Sequence, residues 1–353
     1  MLDKQHDPDY ALTDRQTDRQ TDRQTDRQTD YLSKENTTCL KGLFAICVLV
    51  HHLYQQSGIF REGWLRYVGV CFQALGFLSV AIFFFLSGYG LLASYRKKPE
   101  SIQTFARKKI LPFYIINILL IGMYSLLYAL LGMGVSIDAI ARSLTFGETV
   151  IKGGWYIQVQ LLYYWMFYLV FRVRKDKSWL PPMLFLHCVY VVACIASGLS
   201  SLYYERTLIF IFGMIWAEKR IIIDEWTEKG GYILWGTMCV LFAGSYVLSY
   251  IASPTLFRGL SYFFLIPTVM LLIRKINIQN AATKFLGSIS LEIYVLQGVF
   301  LTLFHSSIVT IENPYLYIAV VSATTILSAI LIHPLFQLIY NICRKNQSIS
   351  KSE

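Results

Sequence analysis

The sequence predicts an all-α, polytopic membrane protein with about ten transmembrane helices, and three observations carry that prediction. Hydrophobic residues fill 55% of the 353 positions and charged residues only 15%, with a mean hydropathy of +0.47, far from soluble averages. Apolar runs long enough to cross a ~30 Å hydrocarbon layer recur from Cys39 to Ile342. Basic residues fall between those runs, in alternate loops. This last pattern also gives the net charge of +10 its meaning. On a soluble surface such charge suggests nucleic acid; spread between apolar runs it reports topology, so no nucleic-acid partner is expected.

Residues 1–30 contain no apolar segment of signal-peptide type, and a tail is expected over 1–32. Positions 13–30 read TDRQTDRQTDRQTDRQTD, a polar repeat with nothing to bury, so the expectation is a disordered cytoplasmic tail rather than a solenoid. A second reading stands beside the first. Thr-Asp-Arg-Gln can be encoded as three copies of one tetranucleotide, ACA GAC AGA CAG. Slippage by one unit shifts the reading frame, which would make expression phase-variable.

A membrane domain is expected over 33–343, with spans near 40–57, 68–95, 110–134, 155–172, 180–198, 203–217, 231–250, 259–274, 285–305 and 316–342. A short cytoplasmic tail, 344–353, follows. Arg96, Lys97, Lys98, Arg107, Lys108 and Lys109 lie between spans two and three, and Arg172, Arg174, Lys175 and Lys177 between four and five. Lys219, Arg220 and Lys229, then Arg274, Lys275 and Lys284, continue the alternation. The opposite loops hold only Arg61 with Arg66, Arg142 with Lys152, Arg206 and Arg258. The positive-inside rule then places both termini in the cytoplasm and requires an even number of spans. The seven cysteines lack CxxC or His spacing suited to a metal and read as buried hydrophobes, so no metal is expected.

Lys41 and His52 stand eleven positions apart, which at 100° per residue returns to within about 20° of one helical face, ~16 Å further along the axis. An ionisable side chain inside a span is a functional candidate, and a histidine satisfied by an interhelical hydrogen bond is the plainer reading. His51 points about 80° aside. Ser87-Gly88, among phenylalanines, reads as a close helix contact or a cavity wall. Glu205 and Arg206 open a short sixth span, and Glu292, Tyr294 and Gln297 fall in the ninth; these groups either bind a sugar or pair with one another. Trp155 and Tyr156, at the outer start of span four, read as an aromatic belt, with glycan stacking as the alternative.

The segments KGLFAICVLVHH (41–52), SVAIFFFLSGYGLL (79–92), FARKKILPFY (105–114) and LGSISLEIYVLQ (286–297) resemble the acyltransferase-3 family of integral membrane acyltransferases. In that family a Lys or Arg stands eleven residues before a His in the first span, and an FF-x-x-SGF-like element lies in the second. The resemblance covers residues 33–342. The family often has two arginines three apart before the third-span proline, where this chain has Arg107, Lys108 and Lys109. Its late motif frequently ends in His, where this chain has Gln297.

The resemblance implies an inner-membrane, multi-pass enzyme that moves an acyl group, acetyl or succinyl, from acyl-CoA to a hydroxyl of an envelope polysaccharide, lipopolysaccharide or lipid-linked sugar. His52 is then the base or acyl carrier, aided by Lys41. Arg107, Lys108 and Lys109 would meet the donor phosphates. Cavity positions would come from His51, Ser87, Tyr156, Glu205, Arg206, Glu292, Tyr294 and Gln297. Phase-variable expression suits an enzyme that modifies a surface antigen. Two other classes also use ten spans with buried polar groups: a transporter or exporter of a glycan or small anion, and a noncatalytic polysaccharide-assembly factor.

Overall fold

A computed structural model describes residues 30–174 and 178–345. Most of the TDRQ repeat, most of the C-terminal tail, and Lys175 and Lys177 lie outside the described residues. The described chain is helical, and each of the ten apolar stretches contains helix.

Helix α1 (Lys34–Ser57) starts where the Ser33 hydroxyl accepts from the Asn36 amide at 3.1 Å, and it ends at Gly58 with φ 74°, the left-handed stop that glycine adopts without strain. Helix α2 (Arg66–Lys97) returns beside it. A wide turn over Ala106–Ile110 leads into α3 (Leu111–Leu130). Pro112 there has no amide proton to close the preceding turn, and such π-type widenings often re-aim side chains at functional sites. Short α4 (Ile137–Leu144) precedes α5 (Trp155–Val173) and α6 (Leu180–Ala196).

Helix α7 (Leu208–Glu218) is only 11 residues long; the expected sixth span begins instead as turns through 201–207. α7 packs tightly on α2, because a methyl group at Gly88 would meet the Phe210 carbonyl and one at Gly213 the Phe85 carbonyl. Small residues at such crossings let backbones approach. Helix α8 (Arg220–Ile251) kinks at Gly231 (φ 48°, ψ −135°) and pairs with α9 (Pro254–Ile273). The expected ninth span is broken. α10 (Ala281–Ser288) and α11 (Ser290–Leu303) are bent 68° from one another, and α12 (Pro314–Lys345) closes the described chain.

Six helices among the described residues have the length and hydropathy to cross a membrane, and the bent α10–α11 pair makes seven. α5 is more polar, carrying Gln158 and Gln160, and α6 and α7 are short.

Asp30, Tyr31 and Leu32, expected to belong to the tail, are held against the bundle. Asp30 pairs with Arg220 at 2.8 Å, Tyr31 donates to Asp224 at 2.7 Å, and Tyr31 and Leu32 are buried. The Arg220 guanidinium lies 4.2 Å over the Tyr31 ring, a contact worth about 2 kcal/mol when desolvated. The start of the described chain is therefore pinned to α8.

Candidate active site

Two cavities open along α1, one near each end. The basic cavity, about 820 Å³, has Lys34, Lys41, Lys98, Lys108 and Lys109 on its wall together with Ser87 and Tyr164. The wide turn before α3 carries Lys108 and Lys109 to it. Arg107 is not on this wall, so the cationic lining is made by lysines.

The histidine cavity, about 270 Å³, is walled by His51, His52 and Gln55 of α1, Gly76 and Phe77 of α2, and Gly153, Trp155, Arg206 and Tyr294. His52 thus faces an internal space. Its Nδ1 lies 3.2 Å from the Gln55 side-chain oxygen. That oxygen only accepts, so the proton sits on Nδ1 and the lone pair on Nε2. His51 is buried, its Nδ1 is 3.3 Å from the Phe72 carbonyl, and its ring meets that of His52 at 4.9 Å in an edge arrangement. The backbone carbonyl orients His51, and His51 flanks His52. Gly76 makes this possible, since any Cβ there would overlap the His51 ring. The Lys152 ammonium is a cationic neighbour of His52, and burial pulls its own pKa below the ordinary lysine range.

A layer of aromatic rings divides the two spaces. Ser87 of the basic cavity lies beside the phenols of Tyr156 and Tyr164. Tyr156 packs against Tyr294 of the histidine cavity with ring centres 5.2 Å apart, and against Phe84 at 5.1 Å. The Tyr294 hydroxyl donates to the Gly153 carbonyl at 2.9 Å, which fixes its ring at the boundary. Tyr156 thus stands between Ser87 on the lysine wall and Tyr294 on the histidine wall.

Of the side chains expected at the site, the structure brings His51, His52, Arg206 and Tyr294 to one cavity and Lys41, Ser87, Lys108 and Lys109 to the other. Glu205 is buried behind Arg206, its side chain 2% exposed. Trp155 and Tyr156 do not form a belt. Trp155 walls the histidine cavity and Tyr156 is buried in the partition, because the turn through Gly153 folds the start of α5 inward. Glu292 and Gln297 reach neither cavity wall. Glu292 faces α12, where His333 Nδ1 meets it at 2.7 Å, and the Gln297 amide donates to the Tyr294 carbonyl at 3.0 Å.

The wall residue Gln55 and two partners of buried carboxylates, Arg258 and His333, were not singled out from the sequence as site residues. Gln55 sits three residues after His52, one helical turn on, which is a usable signal for an orienting partner. Arg258 and His333 come from distant helices and have no local signature. Among the described residues no group of three or more His, Cys, Asp or Glu is placed to hold a metal.

The acyltransferase domain model Acyl_transf_3 matches residues 36–333. The chain belongs to the acyltransferase-3 family. As a family member it is a multi-pass membrane acyltransferase, and the matched region contains the whole histidine cavity and all of the basic cavity wall except Lys34. Comparison with curated proteins and with solved structures gave no match.

Proposed function

We propose that this acyltransferase-3 member takes an acyl group, acetyl in the first instance, from acyl-CoA at the basic cavity. It delivers the group to a hydroxyl of an envelope glycan or lipid-linked sugar in the histidine cavity. One observation carries this reading: a lysine-walled cavity and a His52-walled cavity share α1, with Tyr156 packed between Ser87 of one wall and Tyr294 of the other. Donor phosphates ask for cations, and about 820 Å³ suits a cofactor-sized ligand. Base chemistry asks for a neutral imidazole with a free nitrogen, which the Gln55 contact supplies at His52 Nε2.

In this scheme the pantetheine arm passes beside Tyr156 and presents the thioester to His52. Nε2 takes the proton of the acceptor hydroxyl as its oxygen attacks the thioester carbonyl. The tetrahedral intermediate collapses with cleavage of the C–S bond, and the imidazolium returns the proton to the departing thiolate. The products are the O-acyl sugar and free CoA thiol. The proposal includes an inner membrane and about ten spans, and the loop charges favour both termini and the basic cavity on the cytoplasmic side. The acyl unit then crosses the bilayer while the cofactor stays inside.

Sealed vesicles of both orientations, carrying the full-length protein and acetyl-CoA labelled in the acetyl group, test the scheme. Everted vesicles, with the cytoplasmic face outward, should release CoA thiol outside and retain the labelled acetyl group on glycan within. Uptake of label without thiol release would support a transporter, and neither result would support an assembly factor.

A further inference from the structure

Arg206 heads the largest fully buried side chains, at 1% exposure, and its Nε and Nη2 have no hydrogen-bond partner among the described residues. The nearest carboxylate, Glu205, stands 3.7 Å from Nη2, beyond hydrogen-bond distance, and its other oxygen faces Arg258 Nε at 3.4 Å. Two guanidinium groups therefore share one carboxylate, leaving a net positive charge. The rings of Phe77, Trp155 and Tyr262 lie 5.3, 5.3 and 5.4 Å from the Arg206 guanidinium carbon. Rings satisfy the faces of a guanidinium but not its N–H edge. A buried charge with unmet donors is expensive unless a ligand supplies the acceptors.

The ligand's place follows from the cavity. Arg206, Phe77 and Trp155 are all on the wall of the histidine cavity. Phe77 touches His51 on one side, with ring centres 5.5 Å apart, and Arg206 on the other. The guanidinium is thus one aromatic ring away from the histidine pair. With Phe77 between it and the histidine pair, the guanidinium suits a substituent of the same sugar other than the reacting hydroxyl. We infer that Arg206, backed by Arg258, forms a subsite for an anionic substituent, carboxylate or phosphate, so that the acceptor is an acidic glycan. The inference rests on the proposed acyl transfer and adds the chemical class of the acceptor.

The full-length protein in lipid nanodiscs is offered methyl glucoside, methyl glucuronoside and the 6-phosphate of methyl glucoside at matched concentrations. Binding is read by thermal stabilisation without donor, and transfer by label from acetyl-CoA. The wild type should bind at least one acidic glycoside about tenfold or more tightly than the neutral one, and the two acidic arms distinguish carboxylate from phosphate. Arg206→Gln should erase that preference and raise KM for the acidic acceptor more than it lowers kcat. Arg206→Lys should retain part of it. Glu205→Gln, which removes the competing carboxylate, should strengthen it, an outcome that a merely structural ion pair would not produce. Equal binding of all three glycosides, or equal loss for acidic and neutral ones in Arg206→Gln, would overturn the inference. Charge-selective binding that depends on Arg206, without transfer from any acceptor, would sustain the subsite and count against acyl transfer.

Discussion

Gly76→Ala places one methyl group in the space that the His51 ring occupies. The new Cβ would lie 2.6 Å from His51 Nε2 and closer still to Cδ2 and Cγ, against an ordinary separation of about 3.5–4.0 Å, so the ring must retreat by roughly 1–2 Å. His51 is 4% exposed, and its Nδ1 is tied to the Phe72 carbonyl. Phe77 and His52 hem in the ring, so the retreat presses on His52. Overpacking of this kind costs about 1–3 kcal/mol of stability, and a ~1 Å displacement at a reacting group costs about a hundredfold in rate. Thermal unfolding of the detergent-purified protein and acetyl transfer would be measured together.

The double variant Gly76→Ala/His51→Ala supplies the control. Removing the ring makes room for the methyl group, so the two substitutions should couple by about 0.5–3 kcal/mol, with the pair more stable than the sum of singles. Wild-type stability and rate in Gly76→Ala, or simple additivity in the pair, would refute the packing argument.

Two further outcomes follow from the same contacts. Lys41→Gln, Lys108→Gln and Lys109→Gln should each raise KM for acetyl-CoA severalfold and flatten its salt dependence, since each removes a cation from the lysine wall; unchanged KM in all three would move the donor elsewhere. Glu292→Ala should lower stability by about 1–3 kcal/mol by stranding His333, its 2.7 Å partner, whereas Glu292→Gln should lose less, as unfolding midpoints in detergent would report.

Much of the fold was legible because hydropathy acts over whole helices. Apolar runs such as 68–95 and 316–342 needed only their length to be placed. The break in the ninth span was not legible: Ser288, Ile289 and Ser290 contain no proline or glycine, and the 68° bend comes from how α10 seats on α1, where Gly42 and Gly287 bring the backbones together. The kink at Gly231 is different: it falls at the Gly230-Gly231 pair, where the charged run Asp224–Lys229 meets the apolar stretch that begins the expected seventh span.

At the site, Lys41 and His52 could be paired by helical arithmetic because they share one element. Arg206 was visible as a charge at the edge of a span, but its burial among Phe77, Trp155 and Tyr262 depends on three separate segments. Trp155 was read as a belt residue because position along a span says nothing about which way a turn folds. Glu292 found His333, 41 residues away, a pairing that no local spacing could have indicated.

The most direct measurement is the rate of acetyl transfer by purified full-length protein in nanodiscs, comparing wild type with His52→Gln at saturating acetyl-CoA and acceptor, with folding checked by the unfolding midpoint. If His52 Nε2 takes the hydroxyl proton, the variant should be folded and its kcat about 10²–10⁴-fold lower. A folded variant that transfers acetyl at the wild-type rate would contradict the account.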